Sequence, residues 1–413
     1  MSHRGTVAVV EWNWGGHNHT YYKHYLAALV RSGAAVVPVM SEPQLLEEMF
    51  ASSPLSDLGT GKRSIALPVS FEPSNAWRIR PGRLAVQLGA WSTFHRLGRV
   101  LREWEREHGR PIDLVFFACM YDVGFPRASL VSHGLKRPWS GLYLQSHVFH
   151  SLRNAGEARR LRKARAMFDS RRLVAIGMLE PVVLELVRKA VPTISARIFP
   201  DTLEPISAVE TDAAASLRRA MLAKAEGRPI VSLLGALQPS KGVELFLRAA
   251  CDPRLADVSF FMGGPLPLGQ FAPTFRARVE DCMHRAPRLH CRLERLSEDQ
   301  FNAAVSASDV LCASYINFPF SSNVQVKAAQ LHKPVVVTDG TLMAARCREY
   351  RLGECIPEND LESLVAALQR ILSNAPDRQN DPTVMALHDQ FAAMNSPAAV
   401  CEAMEWVLAS AGL

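Results

Sequence analysis

Short apolar runs alternate with helix-period segments along this chain, and the alternation occurs in two successive series. The first has strand-like runs at Val7-Val10, Ala35-Val39, Leu114-Ala118, Gly141-Gln145, Leu173-Ile176 and Arg197-Phe199. The second has them at Pro229-Leu234, Val258-Met262, Leu289-Leu293, Val310-Ala313 and Pro334-Thr338. Helical segments fall between, including Val243-Ala250, Asp299-Ala307, Val324-Leu331 and Leu361-Leu372. Apolar strands separated by amphipathic helices build parallel sheets covered on both faces. A polar, turn-rich stretch from Pro200 to Asp212 separates the series, Asn374 to Thr383 is a second polar linker, and Ala398 to Ala411 reads as a terminal helix. The expected fold class is α/β, with two Rossmann-like domains and a cleft between them, ligands lying at the carboxyl ends of strands. The boundaries expected are 1–204, 205–383 and a helical segment 384–413. No repeat of 20–50 residues is visible.

Composition removes several other classes. At 413 residues, 48% hydrophobic and 21% charged, the chain can bury large cores and is not a disordered one. The longest uncharged run, Val310 to Val326, holds Ser, Asn and Pro and does not read as a membrane span. The amino-terminal residues show no apolar signal region. The eight cysteines form no C-x-x-C pair, so neither a zinc cage nor a thioredoxin-like motif is indicated. Reduced thiols and a cytoplasmic location are the expectation.

A net charge of +7 is partly local. Arg153, Arg159, Arg160, Arg162, Lys163, Arg165, Arg171 and Arg172 face only Glu157 and Asp169 in their segment. Such a patch suits phosphates, acidic sugars or an anionic membrane surface, and equally a solvated helix face. The stripe Leu84, Leu88, Trp91, Phe94, Leu101 and Trp104 packs on a sheet by its period; its arginine-rich flanks allow a membrane-surface helix instead.

Three segments carry candidate chemistry. Glu11 to Thr20 follows the first strand; Gly15 and Gly16 permit a sharp turn and close backbone approach, and His17 offers a donor to a sugar or phosphate. The segment is not G-x-G-x-x-G, so no dinucleotide fingerprint is present. Gly235 to Gly242 follows the apolar run Val231-Leu234 and places Lys241 at the mouth of the next helix, where an ammonium neutralises a diphosphate or is simply solvated. Ser321, Ser322 and Asn323 start a further helix; there they cap its amides or join those amides in gripping phosphate oxygens.

In this order the segments resemble the group 1 (family 4-like) glycosyltransferases of the GT-B fold. The matched features are the Gly-x-Leu-x-x-x-Lys-Gly loop at Gly235-Gly242, the run Ser297-Glu298-Asp299-Gln300 to Ala307-Ser308-Asp309-Val310, Ser314, and Lys327-Ala328-Ala329 through Lys333-Pro334-Val335-Val336-Val337-Thr338-Asp339. In the first half they are Gly15-Gly16, Ser146-His147 and Phe199-Pro200-Asp201. The resemblance implies a sugar donor on the second domain, an acceptor on the first, and a last helix crossing back to the first domain. Gly15, Gly16, His17 and His147 would then approach the donor from the facing wall. Two departures stand out. The family's phosphate-binding Arg is Ala236 here, and its glutamate pair is missing; the member that holds the nucleotide ribose aligns with Lys327. An ammonium is donor-only and does not replace that carboxylate, so Lys327 is read as supplying the charge lost at Ala236.

The function expected is transfer of a sugar from a nucleotide-diphosphate donor to a glycan, lipid-linked or small-molecule acceptor, as in polysaccharide or glycoconjugate biosynthesis. Gly235, Lys241, Ser321, Ser322, Asn323 and Lys327 are the donor-diphosphate candidates. His17, Glu11, Asp122 and His147 are the catalytic candidates. No D-x-D motif is present, so no metal and no cofactor beyond the donor substrate is expected. The acceptor-side aromatics would be Trp12, Trp14, Tyr21 and Tyr22. A lipid-linked acceptor would bring the basic patch against an anionic membrane, making the protein peripheral. The rivals are a non-catalytic GT-B protein that binds a glycan, a nucleotide sugar or an enzyme partner, and a nucleotide-sugar epimerase. No nucleic-acid module accompanies the basic patch.

Overall fold

The computed structural model describes residues 4–11, 18–40, 65–66, 83–121, 127–202, 206, 210–374 and 381–413. The chain forms two compact units, Met1–Thr202 with Ser396–Leu413, and Leu203–Asn395.

The first unit runs β1 (Thr6–Glu11), α1 (Asn18–Arg31), β2 (Ala35–Met40), β3 (Ile65–Ala66), α2 (Arg83–His108), β4 (Leu114–Tyr121), α3 (Ala128–Leu135), β5 (Trp139–Gln145), α4 (His147–Ser151), α5 (Glu157–Phe168), β6 (Leu173–Met178), α6 (Pro181–Ala190) and β7 (Ser195–Ile198). Its seven strands lie in the order β3-β2-β1-β4-β5-β6-β7, with every pairing parallel. The order reverses between β1 and β4, where a doubly wound sheet opens a crevice at its carboxyl edge. β4, Leu-Val-Phe-Phe-Ala-Cys-Met-Tyr, is buried at all but its last residue, as a parallel strand covered on both faces must be. Phe94, Leu101 and Trp104 of α2 are core residues. The described part of that stripe therefore packs inward, against the membrane-surface reading. α2 lies close on α3: a Cβ on Gly98 would sit 2.5 Å from the Gly134 carbonyl oxygen.

The second unit runs α7 (Asp212–Ala225), β8 (Ile230–Leu234), α8 (Val243–Ala250), β9 (Ser259–Gly263), α9 (Pro273–Arg285), β10 (Leu289–Arg292), α10 (Glu298–Ala307), β11 (Val310–Ala313), α11 (Asn323–Gln330), β12 (Val335–Thr338), α12 (Leu342–Glu349), β13 (Gly353–Ile356), α13 (Leu361–Ser373) and α14 (Pro382–Met394). Its order, β10-β9-β8-β11-β12-β13, is again all parallel and reverses between β8 and β11. The last helix, α15 (Pro397–Ser410), belongs to the first unit and packs on α1 and β6. Val400, Ala403, Met404, Val407 and Leu408 are its buried face. Among the described residues no helix is long and apolar enough to cross a membrane.

Candidate functional site

In the second unit the loops after β8 and β11 meet at the point where strand order reverses. Gly235 leaves β8 at φ +109° and donates its amide to the Gly263 carbonyl. Gly264 follows β9 at φ +131°, and a Cβ there would fall 1.9 Å from the Gly235 oxygen. Gly264 is thus demanded by backbone packing and Gly235 by its positive φ, and Gly235 borders open surface, since a Cβ there would meet nothing. Gly242, at φ +72°, is equally fixed: a Cβ would lie 2.3 Å from the Ser314 oxygen. Ile316 N donates to Ser240 O at 2.8 Å, which ties the two loops together.

This knit places the Lys241 ammonium 3.8 Å from the centre of the Tyr315 ring and 4.4 Å from that of Phe318. Two aromatic faces steady the cation without neutralising it. The Tyr315 hydroxyl lies 3.2 Å from Ser322 Oγ. Lys241 and the start of α11 are therefore one ring and one hydrogen bond apart. Ser322 occupies the N-cap position of α11, yet its side chain makes no cap bond. The Ser322 hydroxyl thus takes none of the first-turn amides, while Gln325 N bonds the Ser322 carbonyl at 3.0 Å. Asn323, 8% exposed, carries a buried Nδ2 with no acceptor in the structure. Ser321 Oγ accepts from Arg346 Nη1 of α12 at 2.8 Å. An ammonium, helix-start amides and an unpartnered side-chain amide at one strand edge form a donor set for an anion.

Lys327 is 2% exposed and ion-pairs with Glu298 of α10 at 2.5 Å. Its charge is matched by that carboxylate. The sequence reading also missed Glu358, which follows β13 and accepts the Asn317 amide at 2.7 Å. It missed Gly263-Gly264 and Arg346 too. The two adjacent glycines ending the run Phe260-Phe261-Met262 were a usable signal; Glu358 and Arg346 had none, since their partners are distant in sequence.

In the first unit, Gly15, Gly16, His17 and Asp122, with Trp12 and Trp14, lie outside the described residues. Glu11 ends β1 at the strand-order reversal and is 1% exposed. It bonds the Cys119 thiol of β4, which burial, and then the Glu11 charge, push well up. Tyr121 donates to Asn18 Oδ1 at 2.6 Å. Tyr21 and Tyr22 are core residues: Tyr21 donates to Asp201, and Tyr22 bridges Val9 O and Val39 N. They are not an acceptor platform, because their hydroxyls and rings are used inside the fold. His147 is exposed, with Nε2 3.2 Å from Gln145 Oε1. The better-held histidine is His150, 2.6 Å from Glu180 Oε2, while Ser146 donates to the other oxygen of the same carboxylate. Sequence pattern pointed to His147 and missed this pair, which joins the last turn of the short helix α4 to Glu180, the residue before α6.

An open groove of about 460 Å³ also exists in the second unit, lined by Arg218, Arg228, Asp309 and Lys333. It lies at the amino ends of β8, β11 and β12, and both arginines are paired, with Glu210 and Glu226. Among the described residues no three His, Cys, Asp or Glu side chains cluster as a metal site would need.

Residues 228–374 match the family model described as glycosyl transferases group 1. No curated protein sequence matches the chain. Among solved structures, sucrose-phosphate synthase from Thermosynechococcus elongatus is similar at a TM-score of 0.66 and 16% identity, covering 98% of each chain. A UDP-forming trehalose-phosphate synthase from Burkholderia xenovorans is similar at 0.66 and 14%, covering 100% of each. HepE from Anabaena, solved with UDP-glucose, is similar at 0.62 and 14%, covering 98% of this chain and 99% of its own. The chain has the two-domain GT-B fold of these proteins, and its residues 228–374 are similar to the group 1 glycosyl transferases.

Proposed function

We propose that the protein is a glycosyltransferase that takes a nucleoside-diphosphate sugar as donor and binds the diphosphate on its second unit. The observation carrying this is the Lys241 ammonium, held over Tyr315 and Phe318 beside the start of α11, where Ser322 makes no side-chain cap bond. As the glycosidic bond breaks, the leaving diphosphate gains negative charge. A fixed cation and oriented amides stabilise that charge without reorganising. Ser321, Ser322 and Asn323 supply further donors, and Gly235 supplies close backbone approach. The sugar is read as a hexosyl group and the reaction as metal-independent, on the absence of a D-x-D motif. HepE's complex with UDP-glucose makes UDP the first nucleotide to try.

A glycan or lipid-linked acceptor would be held by the first unit. For an inverting reaction the base comes from Glu11, His17 or Asp122, with His147 or the His150–Glu180 pair beside the acceptor. The exposed arginines of α5, Arg159, Arg162 and Arg165, would give charge-based contact with an anionic membrane, because the helix's apolar residues Ala164, Met167 and Phe168 face the core. Such a protein works at the cytoplasmic face in polysaccharide or glycoconjugate assembly.

The test is a thermal-shift and calorimetric panel of UDP, GDP, ADP and dTDP sugars. One nucleotide should stabilise the chain by mass action, and Lys241→Ala should weaken it at least about tenfold. Equal affinity in Lys241→Ala would sink the diphosphate site. A non-catalytic binding protein is favoured by one observation: Lys327 stands, already paired, where the family's ribose-holding glutamate falls. Donor binding with neither hydrolysis nor transfer would decide for that reading.

A further inference from the structure

The second unit holds two pairs of cysteines in contact, none in a disulfide, and they differ in chemistry. Cys347 of α12 is 1% exposed; Cys355 of β13 is half-buried and reachable. The Cys355 thiol donates to Ala344 O, one turn before Cys347 on α12, at 3.7 Å, and shares a side-chain hydrogen bond with Cys347. That bond, with the Arg348 guanidinium, outweighs burial and holds the Cys355 thiol below its usual value. The other pair joins α8 to α9: Cys251 donates to the Cys282 carbonyl at 3.5 Å, and burial pushes its thiol up. A reachable sulfur packed beside a second thiol is the arrangement that oxidises reversibly.

We propose that Cys347 and Cys355 are a thiol-oxidation site that closes into a reversible disulfide on reaction with a hydroperoxide. The Cys355 thiolate attacks one peroxide oxygen and the O–O bond breaks. The departing oxygen takes a proton and leaves as water or an alcohol, so Cys355 becomes a sulfenic acid. The Cys347 sulfur then attacks the Cys355 sulfur: the S–S bond forms, the S–O bond breaks, and hydroxide leaves as water with the Cys347 proton. Two electrons pass from the thiols to the peroxide; a dithiol reductant reverses the change.

The disulfide reaches the anion-binding turn through α12. Leu342 N holds Pro319 O at 3.1 Å, Met343 O accepts from Gln325 of α11 at 2.8 Å, and Arg346, next to Cys347, donates to Ser321. Drawing the two sulfurs from hydrogen-bond contact to about 2 Å moves the helix that carries Arg346. This effect on nucleotide affinity rests on the function proposed above; the disulfide itself does not.

The experiment titrates the full chain with hydrogen peroxide, alkylates remaining thiols and maps the peptides. UDP affinity is measured on the reduced, oxidised and re-reduced protein. The expected result is a Cys347–Cys355 cross-link that forms before any Cys251–Cys282 cross-link and reverses with dithiothreitol. Oxidation should weaken UDP about tenfold in the wild type and leave Cys355→Ser unchanged. Alkylated Cys347 and Cys355 while other cysteines oxidise, or a sulfinic acid at Cys355 without a cross-link, overturns the site. A formed cross-link with unchanged affinity overturns the coupling. If UDP binds neither state, the donor reading fails, and the peptide map alone decides for or against the oxidation site.

Discussion

Lys327 shows what it takes to keep a charge inside a folded domain. An ammonium removed from water costs several kcal/mol unless a partner restores the interaction, and Glu298, 42% exposed, does so at 2.5 Å. Removing the carboxylate takes a charge partner from a buried cation, whereas replacing the cation with an apolar chain of similar length removes the buried charge itself. Glu298→Gln should therefore destabilise the protein by about 1–3 kcal/mol, less than the loss for a fully buried pair, while Lys327→Met is neutral or stabilising. Denaturant midpoints check this, and a Lys327→Met loss equal to that of Glu298→Gln would refute it. Lys241 and Gly242 were legible in the sequence because strand, loop and helix follow one another in a few residues. The partner of Lys327 was not, because it comes from another helix. The folded positions of Tyr21 and Tyr22 were hidden for the same reason: aromatic residues after a first strand suit a binding wall and a core alike, and only the Asp201 and Val39 contacts separate the two.

The elements themselves were easier to read where their pattern is strong. β11 and α8 fall where the apolar run and the helical period place them, at Val310–Ala313 and Val243–Ala250. β13, Gly-Glu-Cys-Ile, escaped because an edge strand of four residues carries little apolar signal. The linker expected to reach Thr383 ends earlier, because Asp381 caps α14 through the amides of Thr383 and Val384. Asp360 caps α13 in the same way, accepting from Ser363 N at 3.1 Å. These amide bonds hold both carboxyls below the usual aspartate range. The unfolded chain then binds more protons than the folded one as pH drops. The stabilisation is complete above about pH 4 and is lost as pH falls through the lower folded values. Asn keeps the cap without the charge. The unfolding midpoint of Asp360→Asn/Asp381→Asn should accordingly decline less between pH 6 and pH 3, each about, than that of the wild type. Parallel declines would show that these caps do not contribute.

At the scale of the molecule, each unit has its own reversed-order sheet and core, and a ligand of the second unit should raise the stability of that unit specifically. The basic face of α5 gives a separate prediction. Binding to vesicles containing anionic lipid should fall as salt is added, by on the order of 1 kcal/mol for each arginine replaced near the surface. Salt-insensitive binding, or none, would remove membrane contact from the account. Helix α15 links the two scales. Its five buried apolar residues, at roughly 1.5–3 kcal/mol each when fully buried, make up a large share of what covers α1. Truncation after Asn395 should therefore unfold the first unit at lower temperature and leave the protection of β8 and β11 unchanged, as amide hydrogen exchange would register. Equal loss in both units would contradict the division.

Because α15 is drawn from sequence that follows the second unit, the order of synthesis and the order of completion differ. A ribosome would release β8 to α14 as a finished sheet while α1 still waited for its cover. The nascent first unit would show its apolar helix face until α15 emerges. Translation stalled near Asn395 should then leave a chain with one half folded and the other a substrate for chaperones.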